Sequence, residues 1–272
     1  MTLPNLFVIG APKCGTTSLH HYLDQHPAIS MSRVKEPWVF ASPDYHERLG
    51  LYAEMLDGRA PVRGESSAVY SMHPHFPEVP ERIACVVPDA RILYLVRDPV
   101  DRALSHYVQL VSDGKEARSI GEALADFDAE DNVYVAASRY RTQLLRYLDA
   151  FDPARIMVVD QAELRVEPGE ALAGVFGFLG VADFWSDAFG SRLNTAEEHR
   201  TRTAVGRTLP LASLRRLPIP RPVRARIRRM TSRRVPRPTL DPELRASLAE
   251  ELSEEVAWLR DFTGRRFPGW SV

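Results

Sequence analysis

Leu6-Phe7-Val8-Ile9-Gly10-Ala11-Pro12-Lys13-Cys14-Gly15-Thr16-Thr17-Ser18-Leu19 is the stretch whose reading decides the fold. Leu6 to Ile9 is a short apolar run and reads as a buried strand. Gly10 to Gly15 is a loop with a glycine at each end. Thr16 or Thr17 then opens a helix carrying Leu19, Tyr22 and Leu23, which stops near His26-Pro27. Strand, glycine loop and helix in this order aim backbone N–H groups and a positive helix end at an anion.

The spacing is close to the GxxxxGK[ST] loop of nucleoside triphosphatases, with one change. The residue after Gly15 is Thr16 rather than lysine, and the only lysine, Lys13, lies inside the loop. A triphosphatase needs its lysine on the β- and γ-phosphates and a hydroxyl on magnesium. A lysine moved into the loop suits a smaller anionic group carried on a 5′-phosphate. A glycine loop of this kind can also be purely structural, but here a lysine, both glycines and three successive hydroxyls (Thr16, Thr17, Ser18) coincide.

Working outward, 272 residues are enough for one large α/β domain with a substantial core. Hydrophobic residues at 44% and charged residues at 26% are ordinary for a globular chain, and a net charge of −1 points to neither a nucleic-acid binder nor an acidic tail. Two cysteines, Cys14 and Cys85, exclude a disulfide framework and suit a reducing cytoplasm. No signal pattern and no apolar run of membrane-spanning length is seen, so a cytoplasmic location is expected. Of 35 basic residues only Lys13, Lys35 and Lys115 are lysine, and two of these fall in stretches singled out on other grounds. A compact, rotatable ammonium in a chain that otherwise uses planar guanidinium groups is a chemical choice at a crowded centre.

After the first helix comes Lys35-Glu36-Pro37-Trp38-Val39-Phe40, where Pro37 turns Glu36 away from helix. Taken alone, Lys35-Glu36 reads as a surface ion pair; after the first βα unit of an open sheet it also falls where a ligand crevice forms. Further on, Ile92 to Val96 reads as a second buried strand, followed by Arg97-Asp98-Pro99 and a helix with Pro99 near its start. Arg97 then sits at a strand's carboxyl end and Ser105 about two turns into the helix. A guanidinium fork and a neutral hydroxyl suit a phosphate, whereas Asp98 and Arg102 read as a structural pair.

On these residues the chain resembles the sulfotransferases that use 3′-phosphoadenosine 5′-phosphosulfate (PAPS). Pro12-Lys13-Cys14-Gly15-Thr16-Thr17-Ser18-Leu19 is similar to their 5′-phosphosulfate loop, and Arg97 to Ser105 is similar to their 3′-phosphate motif. The resemblance implies donor contacts from Lys13, Cys14, Gly15, Thr16, Thr17, Ser18, Arg97 and Ser105, with no metal. The Lys35-Glu36-Pro37-aromatic stretch resembles heparan-type and bacterial carbohydrate sulfotransferases. This implies Glu36 as the base that takes the acceptor's proton, Lys35 beside it, and Trp38 and Phe40 shaping the acceptor pocket. Glu65-Ser66-Ser67-Ala68-Val69-Tyr70 parallels a family segment but has Ala68 where that segment carries proline. Ser66, Ser67 and Tyr70 are candidates for the acceptor cleft, or equally for a structural turn. His73-Pro74-His75 offers a second base: phenol- and steroid-type sulfotransferases use histidine, so His75 stands behind Glu36. It is also consistent with a surface turn.

The remaining elements follow from periodicity and caps. Asp44 to Met55 is expected as one amphipathic helix with Leu49, Tyr52 and Met55 on a face and Asp44 as its cap. Pro80–Val87, Ser119–Phe127, Arg139–Phe151 and Glu167–Leu179 are expected helices. Leu144, Leu145, Leu148 and Phe151 form a stripe on the third, and Gly180 caps the last. Arg155–Val159 is a further strand, and Ser138, Arg139 and Tyr140 are candidates to approach a nucleotide, though no local pattern places them there. From Arg200 to Arg237 thirteen arginines occur with no acid, broken by prolines. This basic stretch reads as a solvated segment, a cap over the donor's phosphates, or a dock for an anionic acceptor or surface. The resemblance implies a basic loop here, with Arg200, Arg202 and Arg207 as donor candidates. It lacks aromatics to stack on bases, against nucleic-acid binding. Asp241 and Pro242 open a closing helix over 241–263, striped by Leu244, Leu248, Leu252, Val256 and Leu259.

The expectation is therefore one α/β domain over residues 1–272, with a mostly parallel sheet flanked by helices. It would move a sulfuryl group from PAPS to a hydroxyl, less readily an amine, of a small molecule, glycan or glycolipid. The rival readings are a P-loop kinase of a small hydroxyl substrate and a non-catalytic nucleotide-binding module.

Overall fold

The computed structural model describes residues 2–127, 129, 132–187, 189, 200–202, 232–235 and 237–272. Five parallel strands form the central sheet in the order β2-β3-β1-β4-β5: β1 (Leu6–Gly10), β2 (Ile29–Met31), β3 (Val62–Ser66), β4 (Arg91–Val96) and β5 (Ile156–Asp160). β1 is buried at every position because β3 and β4 flank it, with Leu6 opposite Gly64 on one side and Phe7 opposite Ile92 on the other. That enclosure explains why its sequence is a continuous apolar run rather than an alternating one. The chain is an α/β fold, a parallel sheet flanked by helices.

The order of strands places the crevice. The chain leaves β1 through helix α1 (Thr16–Leu23) towards β2 on one side, and leaves β4 through helices towards β5 on the other. The connections diverge between β1 and β4, where parallel sheets open at their carboxyl ends. β1 loses register with β4 between Val8 and Gly10, and the Ala11 N–H then donates to Leu95 O at 2.7 Å. The loop after β1 is thus tied to the end of β4.

Gly10 has a steric reason to be glycine. Its φ is +142°, and a Cβ would lie 2.0 Å from Ser71 Oγ, a buried side chain just beyond β3. Gly10→Ala should lower stability by about 1–3 kcal/mol, the range for overpacking a filled core. Urea unfolding reads this as a fall in midpoint at unchanged slope. An unchanged midpoint would show that the Ser71 loop yields.

Helix starts and stops largely follow the expected signals. α5 (Pro99–Ser112) begins with Pro99 behind Asp98, whose carboxylate accepts from Asp101 N–H at 2.8 Å. α6 (Ile120–Leu124) has a reciprocal capping box between Ser119 and Glu122, and α10 (Pro168–Leu179) ends on Gly180 in the left-handed region. The other helices are α4 (Val79–Val86), α7 (Val133–Ala136), α8 (Tyr140–Leu148) and α9 (Gln161–Val166).

Three expectations are corrected. The region from Asp44 is not one helix but α2 (Tyr45–Arg48), a 3₁₀ turn over Leu49–Leu51, and α3 (Tyr52–Met55). Asp44 gives its carboxylate to Ser42 and Arg48 rather than to a backbone N–H, so it does not cap. On α8, Leu145 faces outward while Leu144 and Tyr147 are buried. The closing helix is two, α11 (Pro242–Glu251) and α12 (Ser253–Thr263), bent at Leu252. Its stripe survives the bend, with Leu248, Leu252, Val256 and Leu259 all buried. Leu248 and Leu252 join a smaller core with α5 and α7, and Leu259 joins the core of the sheet.

Candidate functional site

The loop after β1 is built to leave charge-seeking groups exposed at the crevice. Lys13 adopts φ +72° and Gly15 φ +92°, which reverses the chain and starts α1 without a side-chain cap. The first turn of the helix thus has no side-chain cap. A Cβ on Gly15 would stand 3.3 Å from Gln161, so the floor beneath it is close packed. Thr16 is buried, whereas Thr17 and Ser18 are half-buried. Cys14 is fully buried, and burial pushes its thiol up to about 11, so it fills space as a neutral thiol below the loop.

Lys13 Nζ donates to Gln109 Oε1 at 3.0 Å, and Gln109 Nε2 donates in turn to Asp113 Oδ1 at 2.9 Å. Burial pulls the Lys13 ammonium down to about 8; Asp113 opposes the shift, and Arg97 and Arg102 add to it. The lysine thus stands in a cationic neighbourhood, with no carboxylate of the described residues in contact. Directly behind it is Arg102, fully buried on α5. The expected pairing with Asp98 is not made. Arg102 donates to Ser138 Oγ at 2.6 Å, to Pro12 O at 3.4 Å and to the carbonyl of Tyr134. Asp98 instead caps α5 and accepts from the Ser271 N–H. A guanidinium held by neutral oxygens keeps its full charge under the loop, and it braces the Pro12 carbonyl next to Lys13. His106, one turn along α5, is kept neutral: burial, with Arg102 and Lys13 beside it, pushes it down to about 3.

Arg97 follows β4. Its backbone is clamped by the Tyr140 hydroxyl, which donates to Arg97 O at 2.6 Å and accepts from Arg97 N–H at 3.3 Å. Tyr140 therefore does approach this region, as a strut. The Arg97 guanidinium lies 3.4 Å from Asp101, which Arg237 (3.1 Å) and Arg245 (3.6 Å) also reach. Burial would raise the Asp101 carboxyl, but Arg237, Arg97 and Arg245 hold it below its ordinary value. Asp101, Ser105, Gln109 and Asp113 recur every fourth residue and form one polar stripe on α5. Ser105 is half-buried on that stripe, between the residue that meets Arg97 and the residue that meets Lys13. Gln109 and the buried role of Arg102 were not foreseen; the four-residue spacing from Asp101 through Ser105 was the available signal for Gln109.

On the other side of β1 lies Glu36. Its backbone N–H donates to Ser66 O at 2.9 Å, so the loop after β2 hangs from the end of β3. Lys35 Nζ meets Glu36 Oε1 at 2.5 Å; Oε2 accepts from the Ala68 N–H at 2.9 Å and from Trp38 Nε1 at 3.1 Å. Glu36 and Trp38 both have positive φ, +58° and +56°, a conformation that side-chain-bearing residues adopt only where the surroundings enforce it. Trp38 is 47% exposed, with its indole edge fixed on the carboxylate. Phe40, expected to shape the pocket, lies in the core instead, and Tyr70, a candidate for the cleft or equally for a structural turn, is also in the core. Phe40 packs edge-on against Phe7 at 5.5 Å, and the Tyr70 hydroxyl accepts from Phe40 N–H at 3.0 Å. Ser66 and Ser67 are likewise fully buried. The two aromatics fall inside because Val39-Phe40 turns back under the loop, leaving Trp38 as the outward aromatic.

His75 is exposed on a turn closed by its own N–H to Met72 O at 2.8 Å. No described hydrogen bond joins it to Lys35 or Glu36, though its charge reaches His106 beside Lys13. His20, on α1, comes nearer the Lys35–Glu36 pair: burial and Lys35 push it down to about 4, and its Nδ1 is buried without a partner. Of the basic segment, Arg200–Arg202 and Ser232–Arg234 are described as antiparallel strands β6 and β7, with Arg202 opposite Ser232 and β6 running by α5. Arg207 and most of the other arginines there lie outside the described residues. Among the described residues no group of histidine, cysteine, aspartate or glutamate has the arrangement to hold a metal ion, and no helix is long and apolar enough to cross a membrane.

The family profile described as a sulfotransferase domain matches residues 3–200. Human bifunctional heparan sulfate N-deacetylase/N-sulfotransferase 2 is 28% identical over 208 residues, which is 67% of this chain and 22% of that protein. Human bifunctional heparan sulfate N-deacetylase/N-sulfotransferase 3 is 31% identical over 198 residues, again 22% of its length. The chain thus aligns with about a fifth of these relatives. The crystal structure of a sulfotransferase from Alicyclobacillus acidocaldarius superposes over the whole of both chains with a TM-score of 0.72 at 27% identity. Mouse sulfotransferase SULT7A1 complexed with PAP shares the fold, with a TM-score of 0.52 at 17% identity over 93% of this chain and 84% of that one.

Proposed function

The chain belongs to the sulfotransferase family, and from that premise we propose that it moves a sulfuryl group from PAPS to a hydroxyl of a polar acceptor, with residues 1–272 acting as one domain. The observation that carries this reading is the order of charged groups along one edge of the sheet. Glu36 hangs at the end of β3, Lys13 follows β1 and Arg97 follows β4. Adjacent strands lie about 4.8 Å apart, and this strand order supports reading the three as base, reacting-group contact and distal-phosphate contact. An acceptor O–H at Glu36 attacks sulfur as the bond from sulfur to the bridging oxygen breaks. Glu36 takes the proton. Lys13 and the amides of the α1 terminus meet the charge that grows on the departing phosphate. Arg97 and Ser105 hold the 3′-phosphate, and Trp38 presents an apolar face beside the base.

The same base serves an amine, which must also lose a proton. The N-sulfotransferase names of the relatives favour that second reading. The exposed, unpaired thiol of Cys85 supports a cytoplasmic setting. The Arg200–Arg237 segment remains the candidate dock for an anionic acceptor or surface.

Incubation with PAPS and a panel of hydroxyl- and amine-bearing acceptors, read by mass spectrometry, should show the gain of one sulfo group on a hydroxyl, undiminished by EDTA. Adenosine 3′,5′-bisphosphate should raise the melting temperature, as a ligand of the folded state does. Stabilisation by ATP with magnesium and none by the bisphosphate would favour the kinase. Arg97→Ala should weaken the bisphosphate by ~1.5–3 kcal/mol, the range for a charge-assisted hydrogen bond, and leave adenosine 5′-monophosphate nearly unchanged. Calorimetry showing equal losses for both ligands would make Arg97 a structural residue, serving Asp101 alone.

A further inference from the structure

Glu65 is the one carboxyl of β3 and has no exposed surface, yet no cation among the described residues meets it. The Tyr52 hydroxyl donates to Oε2, the hydroxyls of Tyr70 and Ser67 lie near enough to stabilise its charge, and Oε1 accepts no hydrogen bond from the described residues. Two of these hydroxyls have a second task. The Tyr70 hydroxyl accepts from Phe40 N–H at 3.0 Å and Ser67 Oγ accepts from Trp38 N–H at 3.4 Å. A hydroxyl has one proton. When it accepts from a backbone N–H its own proton must go elsewhere, and here the acceptor at hand is the Glu65 carboxyl.

We propose that Glu65 is a positioning residue for sulfuryl transfer: by taking the protons of Tyr70 and Ser67 it fixes both hydroxyls as acceptors for the loop amides that aim Glu36. The loop needs such fixing. Glu36 and Trp38 are held at positive φ, and Trp38 Nε1 in turn holds Glu36 Oε2. Without an acceptor beneath, either hydroxyl is free to rotate its proton towards the loop, where it opposes the N–H it should receive. Burial holds the Glu65 carboxyl at about 7, so this acceptor is maintained at a cost in stability.

This inference rests on Glu36 as the base, and the test separates the two. Glu65→Gln keeps the volume but adds N–H donors where an acceptor is required. Its kcat should fall about 10–100-fold, the scale of a loss of alignment, with affinity for adenosine 3′,5′-bisphosphate unchanged by calorimetry. The double variant Glu36→Gln/Glu65→Gln should be no slower than Glu36→Gln alone, because Glu65 acts through Glu36. Tyr70→Phe, which removes the acceptor for Phe40 N–H and leaves Glu65 in place, should reproduce the kcat loss; it also serves if Glu65→Gln does not fold. Wild-type kcat in Tyr70→Phe or in a folded Glu65→Gln, or losses that multiply in the double variant, would overturn the role of Glu65. Near-wild-type turnover in Glu36→Gln would instead overturn the base assignment on which it rests.

Discussion

Glu36→Gln should lose roughly 10²–10⁴ in turnover, the usual worth of a general base, while binding adenosine 3′,5′-bisphosphate as the parent protein does. The geometry makes this selective. Glu36 hangs from β3, whereas the donor groups Lys13 and Arg97 follow β1 and β4. The carboxylate already accepts from Lys35 on Oε1 and from Ala68 N–H and Trp38 Nε1 on Oε2. The free acceptor capacity is therefore on Oε1, which is where an incoming O–H would be taken. The amide of glutamine keeps the shape of the side chain but cannot receive that proton, and one of its ends turns a donor towards a group that already donates. Single-turnover kinetics with preloaded donor will separate the chemical step from binding. If Glu36→Gln turns over normally and His75→Ala is dead, the base is the histidine near His106. If neither change matters, the acceptor is ionised by another group, for which His20 with its unpartnered Nδ1 beside Lys35 would be the first to examine.

How much of this was legible from residues alone depends on how local the information is. The loop from Gly10 to Gly15 is read from its own neighbours, since glycine positions, a strand before and a helix after fix a strand-loop-helix turn. Arg97 at the end of β4 was readable for the same reason. The Asp44–Met55 region was not, because Gly50 and the burial of Tyr52 against Glu65 break a periodic pattern through contacts far along the chain. Phe40 was placed in the pocket because the Lys35-Glu36-Pro37-aromatic stretch resembles a family segment, and Tyr70 was a candidate for the cleft or equally for a structural turn. What decides it is direction: two positive-φ residues turn the chain so that Trp38 faces out and Phe40 faces Phe7. Arg102 was paired with Asp98 on sequence proximity, but Asp98 is engaged by amides and Arg102 by Ser138 and by carbonyls 32 and 90 residues away. Polar groups that complete a site from distant segments, Gln109 and Glu65 among them, leave only faint marks in a local pattern.

Lys13→Ala should remove both donor affinity and catalysis, and the pH dependence of binding with them. Loss of a charged donor to the nucleotide is expected to weaken adenosine 3′,5′-bisphosphate by ~1.5–3 kcal/mol. Loss of charge opposite the departing oxygen should cost a further ~10²–10³ in kcat. The ammonium also reports on itself. In the unliganded protein, burial holds it at about 8 rather than 10.5. An anion placed beside it favours the charged form and raises that value, so nucleotide binding must take up a proton above pH 8. Affinity for the bisphosphate is thus flat below about pH 7 and falls as pH rises through 8 and beyond, by up to tenfold per unit. For folding without nucleotide the sign is opposite. Between about 8 and 10.5 the unfolded chain binds more protons at this lysine than the folded one, so the Lys13 contribution makes stability rise with pH in that window. Lys13→Ala should show weak binding with no slope at any pH. Lys13→Arg, which stays charged, should also show no slope, and its planar fork must displace the contact to Gln109. Calorimetry across pH 6.5–9.5 decides it. A slope that persists in Lys13→Ala would mean that the titrating group is elsewhere in the crevice and that Lys13 does not meet the donor's phosphate.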